Sequence, residues 1–270
     1  MLTVVLGYMA TPYTPKFYQE IREDSRQFDL VLEEGQGWAA IQKPHRKDQD
    51  ALFVHNPSDD LVVAGVLDGL GSYRESGEVA QAAADYIVAS LEDGTLDAER
   101  FASDPDAYYE FWFDVVDYAT AMRGDGSTTL TMVSVDRSNK KFGYVSIGDS
   151  RAYELEAVDE TSANPAYENG SATEQLTTDE VKDRLLTNCI STDNFLGMRQ
   201  AGSRELVVGS RVLLLTDGVF TTDNSTRSFH PEEIGKAANT SLSPIDALTN
   251  LVLLEAHWRP DDRTGVIIDA

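Results

Sequence analysis

The sequence contains very little cysteine and histidine. Cys189 is the one cysteine among 270 residues, and there are four histidines. A lone cysteine cannot form an intramolecular disulfide, and the scattered histidines give no zinc-ligand spacing. These absences exclude a disulfide-stapled fold and a Cys/His zinc site, and they indicate a reducing compartment.

Basic residues are also scarce. The chain has 22 Lys and Arg against 46 Asp and Glu, which gives a formal net charge of −24. The resulting negative field repels nucleic acid and anionic lipid surfaces, so we expect neither as a partner. The same surplus is compatible with attraction of cations, with solubility and with selection of basic phosphopeptides, and composition does not separate these.

No apolar run is long enough to span a membrane. The first 15 residues begin with an apolar stretch but have neither a basic leader nor a signal core, so we expect a soluble cytoplasmic protein. With 41% apolar residues and no Pro/Ser-rich linker, the chain can bury one large core. We assign 1–36 to an N-terminal extension and 37–270 to one domain, and nothing requires more than a monomer.

Several phosphate-binding and calcium-binding motifs are missing. The sequence contains no Gly-x4-Gly-Lys-Ser/Thr loop and no Gly-x-Gly-x-x-Gly turn, which argues against a kinase or phosphatase of another fold. Acidic loops such as 92–97 lack the ligand spacing of an EF-hand. We therefore treat a non-enzymatic calcium protein as the weaker interpretation.

The apolar pattern predicts blocks of strands followed by blocks of helices. Predicted strands cover 37–43, 51–56 and 61–69 as neighbours, 127–137 and 142–155 as an antiparallel hairpin, a strand pair within 205–219, and 264–269. Predicted helices cover 77–94, 105–124, a short stretch of 178–188, 231–239 and 243–258, and 156–176 is predicted to be a surface loop. This order favours a layered sheet-and-helix sandwich over a parallel doubly wound sheet.

Aspartates recur where apolar strands begin or end. Asp68, Asp149 and Asp217 follow predicted strands, whereas Asp50 and Asp261 precede them. A lone Asp-Gly pair is a common turn signal, but five acids at corresponding strand ends weaken that explanation. Carboxylates without histidine suit Mg²⁺ or Mn²⁺, and two such ions about 3.5–4 Å apart can activate water for attack on phosphorus.

Six ordered motifs make a family resemblance specific. They are Asp48-Gln-Asp-Ala51, Asp68-Gly-Leu-Gly71 with Gly77-Glu-Val-Ala80, Gly126-Ser-Thr-Thr129, Gly148-Asp-Ser-Arg-Ala-Tyr153, Thr216-Asp-Gly-Val219 and Asp261-Asp-Arg-Thr264. Across 37–269 the chain resembles the metal-dependent serine/threonine protein phosphatases of type 2C. The resemblance implies an α+β fold, a four-layer α/β/β/α sandwich of two antiparallel sheets flanked by helices, with Mg²⁺ or Mn²⁺ ions in a cleft at one end.

The resemblance also implies a role for each acid. Asp68 would bridge two metal ions, and Gly69 would contribute its carbonyl to one of them. Asp217 and Asp261 would hold the other ion, with Asp50 beside them directly or through water. Asp149 corresponds to an acid near a third, weaker metal position, or it orients a neighbouring loop.

Three positions depart from the family pattern. The position of the phosphate-gripping arginine is His45, so Arg46 beside it is our candidate, with an exposed surface base as the alternative. Ser72-Tyr73 stand where some members have a histidine that could protonate the leaving alkoxide, so metal-bound water would serve instead. Thr221 replaces an acid found in members with three metals.

The resemblance predicts hydrolysis of phosphoserine and phosphothreonine in proteins, with Asp68, Arg46 and Asp50 as the catalytic candidates. Phosphorylated proteins would be the substrates, and a Ser/Thr kinase would be the functional counterpart. The alternative is a pseudophosphatase that binds phosphopeptides as a regulatory module without turnover. Retention of Asp68, Asp217 and Asp261 argues against this alternative.

Overall fold

The computed structural model describes residues 31–43, 48–71, 75–123, 125–156, 173–182, 185–193, 195–198, 200–220, 230–238, 242–253 and 261–270. The strands are β1 Val31–Gly35, β2 Trp38–Lys43, β3 Ala51–Ser58, β4 Leu61–Leu67, β5 Leu130–Asp136, β6 Lys141–Ile147, β7 Arg151–Leu155, β8 Thr173–Gln175, β9 Val181–Lys182, β10 Leu185–Leu186, β11 Gln200–Glu205, β12 Arg211–Leu215 and β13 Arg263–Asp269. The helices are α1 Ser76–Asp93, α2 Ala98–Ser103, α3 Phe111–Arg123, α4 Asp217–Phe220, α5 Pro231–Ala237 and α6 Pro244–Leu253, with a 3₁₀ turn at Pro105–Tyr108.

The strands form two large antiparallel sheets. The first sheet has six strands in the order β1-β2-β13-β12-β7-β8, and the second has five in the order β11-β6-β5-β4-β3. A separate two-stranded ribbon pairs β9 with β10. The α+β fold of two antiparallel sheets and flanking helices is therefore confirmed.

Three apolar clusters separate four layers. One packs α1 and α3 on the second sheet, one packs α5 and α6 on the first, and one fills the space between the sheets. Each inner strand serves two of these clusters, because successive side chains point to opposite faces. In β4, Val63 and Leu67 face the helices, while Val62, Ala64 and Val66 face the other sheet. This explains why the inner strands read as nearly continuous apolar runs.

Some strands predicted as neighbours lie in different sheets. The antiparallel pairing of 127–137 with the following segment is confirmed by β5 and β6, but the predicted strand 142–155 contains both β6 and β7. Gly148, at φ +110°, turns the chain between them. The predicted pair within 205–219 is wrong because β11 belongs to the second sheet and β12 to the first. Likewise, β2 does not share a sheet with β3 and β4.

Several predicted helices and loops also need correction. The helix predicted near 178–188 is wrong, since the described residues there form the β9–β10 ribbon. The single helix predicted over 105–124 is a 3₁₀ turn followed by α3. Helix α2 was not predicted; its first turn is capped by the Asp97 side chain, which accepts a hydrogen bond from the Arg100 amide.

Two segments that were not predicted to contain strands each end in a strand of the first sheet. β8 lies at the end of the loop predicted over 156–176, and 157–172 lie outside the described residues. β1 lies within the predicted 1–36 extension and pairs with β2, while 1–30 lie outside the described residues. The domain boundary therefore stays a prediction. None of the helices in the described ranges is long and apolar enough to cross a bilayer.

Arg137 ties the two sheets together at the end where β5 turns into β6. Its Nε and Nη2 donate to the Asp269 carbonyl at 3.0 and 2.9 Å, and Nη2 also donates to the Gly37 carbonyl at 3.1 Å. Nη1 donates to the Asp59 carbonyl at 2.5 Å. One guanidinium thus joins a turn of the second sheet to β13 and the β1–β2 turn of the first.

We expect Arg137→Ala to lower the free energy of unfolding by about 1–3 kcal/mol, because three backbone carbonyls lose a charged donor. Urea denaturation of the wild type and the variant measures this difference. Arg137→Lys is the matched control, since it keeps the charge but cannot reproduce the planar fork of donors. A lysine variant as stable as the wild type would show that the charge alone suffices.

Candidate active site

Two antiparallel strand pairs bring four of the predicted acids to one end of the sandwich. Asp50 precedes β3 and Asp68 follows β4, and the register pairs Ala51 with Leu67, so these two aspartates leave the second sheet side by side. Asp217 follows β12 and Asp261 lies just before β13, and these strands pair Leu215 with Gly265. Each sheet therefore contributes one pair of acids.

Hydrogen bonds join the two pairs across the sheets. The Thr216 hydroxyl donates across to Asp50 Oδ2 at 2.9 Å, while the Thr216 amide donates within its own sheet to the Thr264 carbonyl at 3.0 Å. The Gln49 amide donates to Asp262 Oδ2 at 2.6 Å. The position of Asp50 is thus fixed from the opposite sheet, although the two strand pairs are far apart in sequence.

The backbone around Asp68 is held by the segment that leads into β5. The Thr128 hydroxyl and the Thr129 amide both donate to the Asp68 carbonyl, at 3.0 and 2.9 Å. In return, the Asp68 amide donates to the Thr129 hydroxyl at 3.0 Å, and that hydroxyl lies 2.8 Å from the Ser150 hydroxyl. These bonds fix the direction in which the Asp68 side chain leaves the backbone.

Two glycines allow close backbone approach beside the acids. A Cβ on Gly69 would lie 2.5 Å from the Gln49 carbonyl oxygen, and a Cβ on Gly218 would lie 1.8 Å from the Asp262 carbonyl oxygen. Any side chain at either position would therefore collide with the backbone of a neighbouring acidic motif. In these two Asp-Gly pairs the glycine is therefore needed for close packing between motifs, in addition to the role that Asp-Gly commonly has in turns.

Asp149 lies in the turn between β6 and β7, and Glu180 holds this turn. One carboxylate oxygen of Glu180 accepts from the Gly148 amide and from Asn188 Nδ2, both at 2.9 Å. The Glu180 amide donates back to the Gly148 carbonyl at 3.0 Å. Asn188 also accepts from the Leu196 amide at 2.8 Å, so the Asp149 turn is connected to the segment 185–198.

Arg151, which begins β7, binds the segment before β9. Its Nε and Nη2 donate to the two carboxylate oxygens of Asp179 at 2.8 and 2.6 Å. The guanidinium also lies over the Phe220 ring, with 4.0 Å between its central carbon and the ring centroid. This bidentate pair, in which Arg151 is buried and Asp179 is half-buried, anchors the chain before β9 to β7 and to α4, which Asp217 begins.

The acids interact electrostatically. Burial raises the pKa of Asp68 well above its usual value, and Asp50, Asp217, Asp149 and Asp261 raise it further. Burial, Asp262 and Asp217 likewise raise the pKa of Asp50. Burial raises the pKa of Asp149 to about 7, with Asp217 and Asp179 contributing. The five acids therefore converge on one region in which negative charge is costly.

The chemistry of this donor set fits a hard divalent cation. Carboxylate oxygens dominate the set, and a cation beside Asp68 would reverse the repulsion that raises its pKa. Across the described ranges, no three His, Cys, Asp or Glu side chains are grouped tightly enough to hold a metal as they stand.

The five aspartates could be picked out from the sequence, but the residues that support them could not. Asp262, Thr216 and Glu180 hold the acidic turns, and none was singled out. Asp262 and Thr216 lie next to predicted site residues in the same motifs, so their positions in the sequence could have identified them. Glu180 is far from Gly148 in the sequence, and nothing near it predicts their contact. Arg46 and His45 lie outside the described residues, so phosphate binding there stays a prediction.

Comparisons with known proteins agree with this architecture. A family model described as protein phosphatase 2C matches residues 42–245. The phosphatase MsPP of Mycobacterium smegmatis, solved with cacodylate, is 22% identical, with a TM-score of 0.62 over 86% of this chain and 97% of that chain.

Two further solved structures share the fold. A bacterial serine phosphatase is 17% identical, with a TM-score of 0.65 over 87% of this chain and 98% of that chain. The catalytic domain of the phosphatase PstP, solved with two manganese ions, is 20% identical, with a TM-score of 0.60 over 89% and 99%. Among curated protein sequences, none matches this chain.

Without divalent metal, we expect stability to fall as pH rises from about 4 to about 7. The unfolded chain ionises Asp149 near 3.8, whereas the folded chain holds its proton until about 7, so folding retains more protons in this window. The expected contribution is roughly 2–4 kcal/mol. Urea unfolding in EDTA across this range should show Asp149→Asn gaining stability relative to the wild type as pH rises. A constant difference between the two proteins would contradict the assignment.

We expect Glu180→Ala to lower the free energy of unfolding by about 1–3 kcal/mol, because the Gly148 amide and the Asn188 side chain lose their shared acceptor. Glu180→Gln should recover most of this loss, since a single amide oxygen can accept both bonds. Denaturation of the three proteins side by side measures the effect. Equal losses in both variants would show that the negative charge, rather than the acceptor, matters.

Proposed function

The chain belongs to the protein phosphatase 2C family, and we propose that it hydrolyses phosphoserine and phosphothreonine in proteins with a pair of Mg²⁺ or Mn²⁺ ions. The observation that carries this proposal is the convergence of Asp50, Asp68, Asp149, Asp217 and Asp261 at one end of the two sheets. Phosphoprotein substrates follow from the family. A cognate Ser/Thr kinase, a monomeric state and a cytoplasmic location stay predictions.

Asp68 would contact both ions, with the Gly69 carbonyl on one and Asp217 and Asp261 on the other. Asp50 would complete the set directly or through water, and Asp149 would lie toward a third position. When bound, such ions supply Lewis acidity at phosphorus and lower the pKa of the attacking water. The manganese ions of PstP support this proposal by analogy.

Hydrogen bonds from neighbouring residues fix Asp50 and the backbone of Asp68. Thr216 donates to Asp50 Oδ2 at 2.9 Å from the opposite sheet. Thr128 and Thr129 hold the Asp68 carbonyl, so the carboxylate projects from a fixed backbone. Asp68, Asp149, Asp217 and Asp261 all keep partial exposure, which leaves the region open to a phosphorylated side chain.

Arg46 is proposed to bind the substrate phosphate, because a guanidinium can meet two phosphate oxygens at once. The hydrolysis breaks the bond between phosphorus and the serine or threonine oxygen, and water adds to phosphorus. The released alkoxide takes up one proton, so the products are the free hydroxyl side chain and inorganic phosphate. Ser72-Tyr73 offer no histidine for this proton, which leaves water as its proposed source.

A second candidate is phosphopeptide binding without turnover. It is favoured by two departures from the family pattern, His45 at the position of the phosphate-gripping arginine and Thr221 at the position of an acid found in members with three metals. Hydrolysis of p-nitrophenyl phosphate and of a phosphothreonine peptide, in EDTA and with added Mn²⁺ or Mg²⁺, separates the two candidates. Turnover that depends on metal supports the phosphatase; peptide binding with no turnover in any metal supports the second candidate.

We expect Asp68→Asn to lower kcat with Mn²⁺ by at least about 100-fold, because it removes the carboxylate at the centre of the set. Asp217→Asn should have an effect of similar size. Asp59→Asn is the matched control, since this exposed acid lies in the β3–β4 turn at the opposite end of the same hairpin. Full activity in either site variant would overturn the assignment of the metal site.

A further inference from the structure

A row of aromatic rings, two exposed and one half-buried, lies on and beside α3. Tyr109 and Phe113 are 42% and 38% exposed, and their ring centroids are 5.6 Å apart in a T-shaped contact. Phe113 makes a second T-shaped contact with Phe195, at 5.0 Å. Single exposed aromatic residues are ordinary, but three rings joined through Phe113 form a patch.

Carboxylates accompany these rings at the start of the same helix. Glu110 directly precedes α3, and Asp114 and Asp117 lie in α3. All three are exposed, and they follow one another at spacings of four and three residues, which places their side chains near one another on one side. Like charges at these spacings destabilise a helix. The sequence 105–122 contains no Lys or Arg to offset them. Within the described residues, the ion pairs of the protein lie elsewhere.

We propose that this α3 face is a docking surface for a Lys/Arg-rich segment of the phosphoprotein substrate, an inference that rests on the proposed phosphatase function. The α3 face is defined by Tyr109, Glu110, Phe113, Asp114, Asp117 and Phe195. Its carboxylates match positive charge, and its rings offer aromatic faces on which a guanidinium or ammonium group can lie. An acidic or purely apolar partner would leave the three carboxylates without a counter-charge.

The α3 face is connected to the candidate active site through the segment 185–198. Phe195 contacts Phe113, and the amide of the next residue, Leu196, donates to Asn188 Oδ1 at 2.8 Å. Asn188 in turn shares Glu180 with the turn that contains Asp149. A peptide bound across this segment would have its basic residues on α3 and its phosphorylated residue toward the aspartates.

Two phosphothreonine peptides of equal length test the proposal, one with arginines beside the phosphorylated residue and one with glutamines in their place. With full-length protein and Mn²⁺ at low ionic strength, we expect kcat/KM to be about five- to tenfold higher for the arginine peptide. The combined variant Glu110→Gln, Asp114→Asn and Asp117→Asn should bring this ratio close to one. Phe113→Leu should reduce it by about two- to fivefold through loss of the ring.

A matched control separates the α3 face from the overall charge of the protein. Asp59→Asn, Asp60→Asn and Glu205→Gln remove the same number of exposed carboxylates, and all three lie at strand ends away from the candidate site. This control should keep the preference of the wild type. Turnover of p-nitrophenyl phosphate, which has no peptide, should be the same in every variant.

Three outcomes overturn the docking proposal: equal rates for the two peptides in the wild type, a preference that survives in the α3 variant, or an equal loss in the control variant. Failure of the phosphatase proposal looks different, because the wild type would then not hydrolyse p-nitrophenyl phosphate in any metal. In that case fluorescence anisotropy with the same labelled peptides still decides whether the α3 face binds the arginine peptide.

Discussion

Contact between the two sheets is the constraint on which the candidate active site depends. Asp50 and Asp68 belong to the second sheet, and Asp217 and Asp261 belong to the first, so neither sheet contains the site alone. The apolar layer between the sheets, which includes Trp38 and several valines, sets their separation. The bonds from Thr216 to Asp50 and from Gln49 to Asp262 then fix the relative position of the two pairs.

The same contact gathers groups that repel one another. Burial and mutual repulsion raise the pKa values of Asp50, Asp68 and Asp149, which means that ionising these groups opposes folding. A cation would relieve this repulsion, so binding and folding would favour each other. At the other end of the sandwich, Arg137 joins the sheets through neutral carbonyls and adds no negative charge. The two ends therefore differ in what holds the sheets together.

Much of the fold could be predicted from local pattern, and the errors have a common physical cause. The spacing of apolar residues and the turn residues predicted most strands and the long helices, because burial on one or both faces determines which positions are apolar. The choice of sheet leaves no such trace: β6 and β7, like β11 and β12, are consecutive in the chain but lie in different sheets. The β9–β10 ribbon has two residues per strand, too few for any period to be read.

The residues of the candidate active site also fall into those that local sequence predicts and those that it does not. Asp68 and Asp217 stood out because a carboxylate after an apolar strand is costly unless it is used. Glu180 did not, because its role depends on a contact with Gly148 that only the folded chain creates.

The close approaches at Gly69 and Gly218 bear on how far such sequences can diverge. Each glycine packs directly against the backbone of another acidic motif, so a substitution there would separate the motifs even if every aspartate were kept. The sheet interiors make a looser demand, since many combinations of apolar side chains fill the same volume. The amino-acid sequence can therefore vary more in the sheet interiors than at these turns, which is compatible with a shared fold at only 22% identity to MsPP.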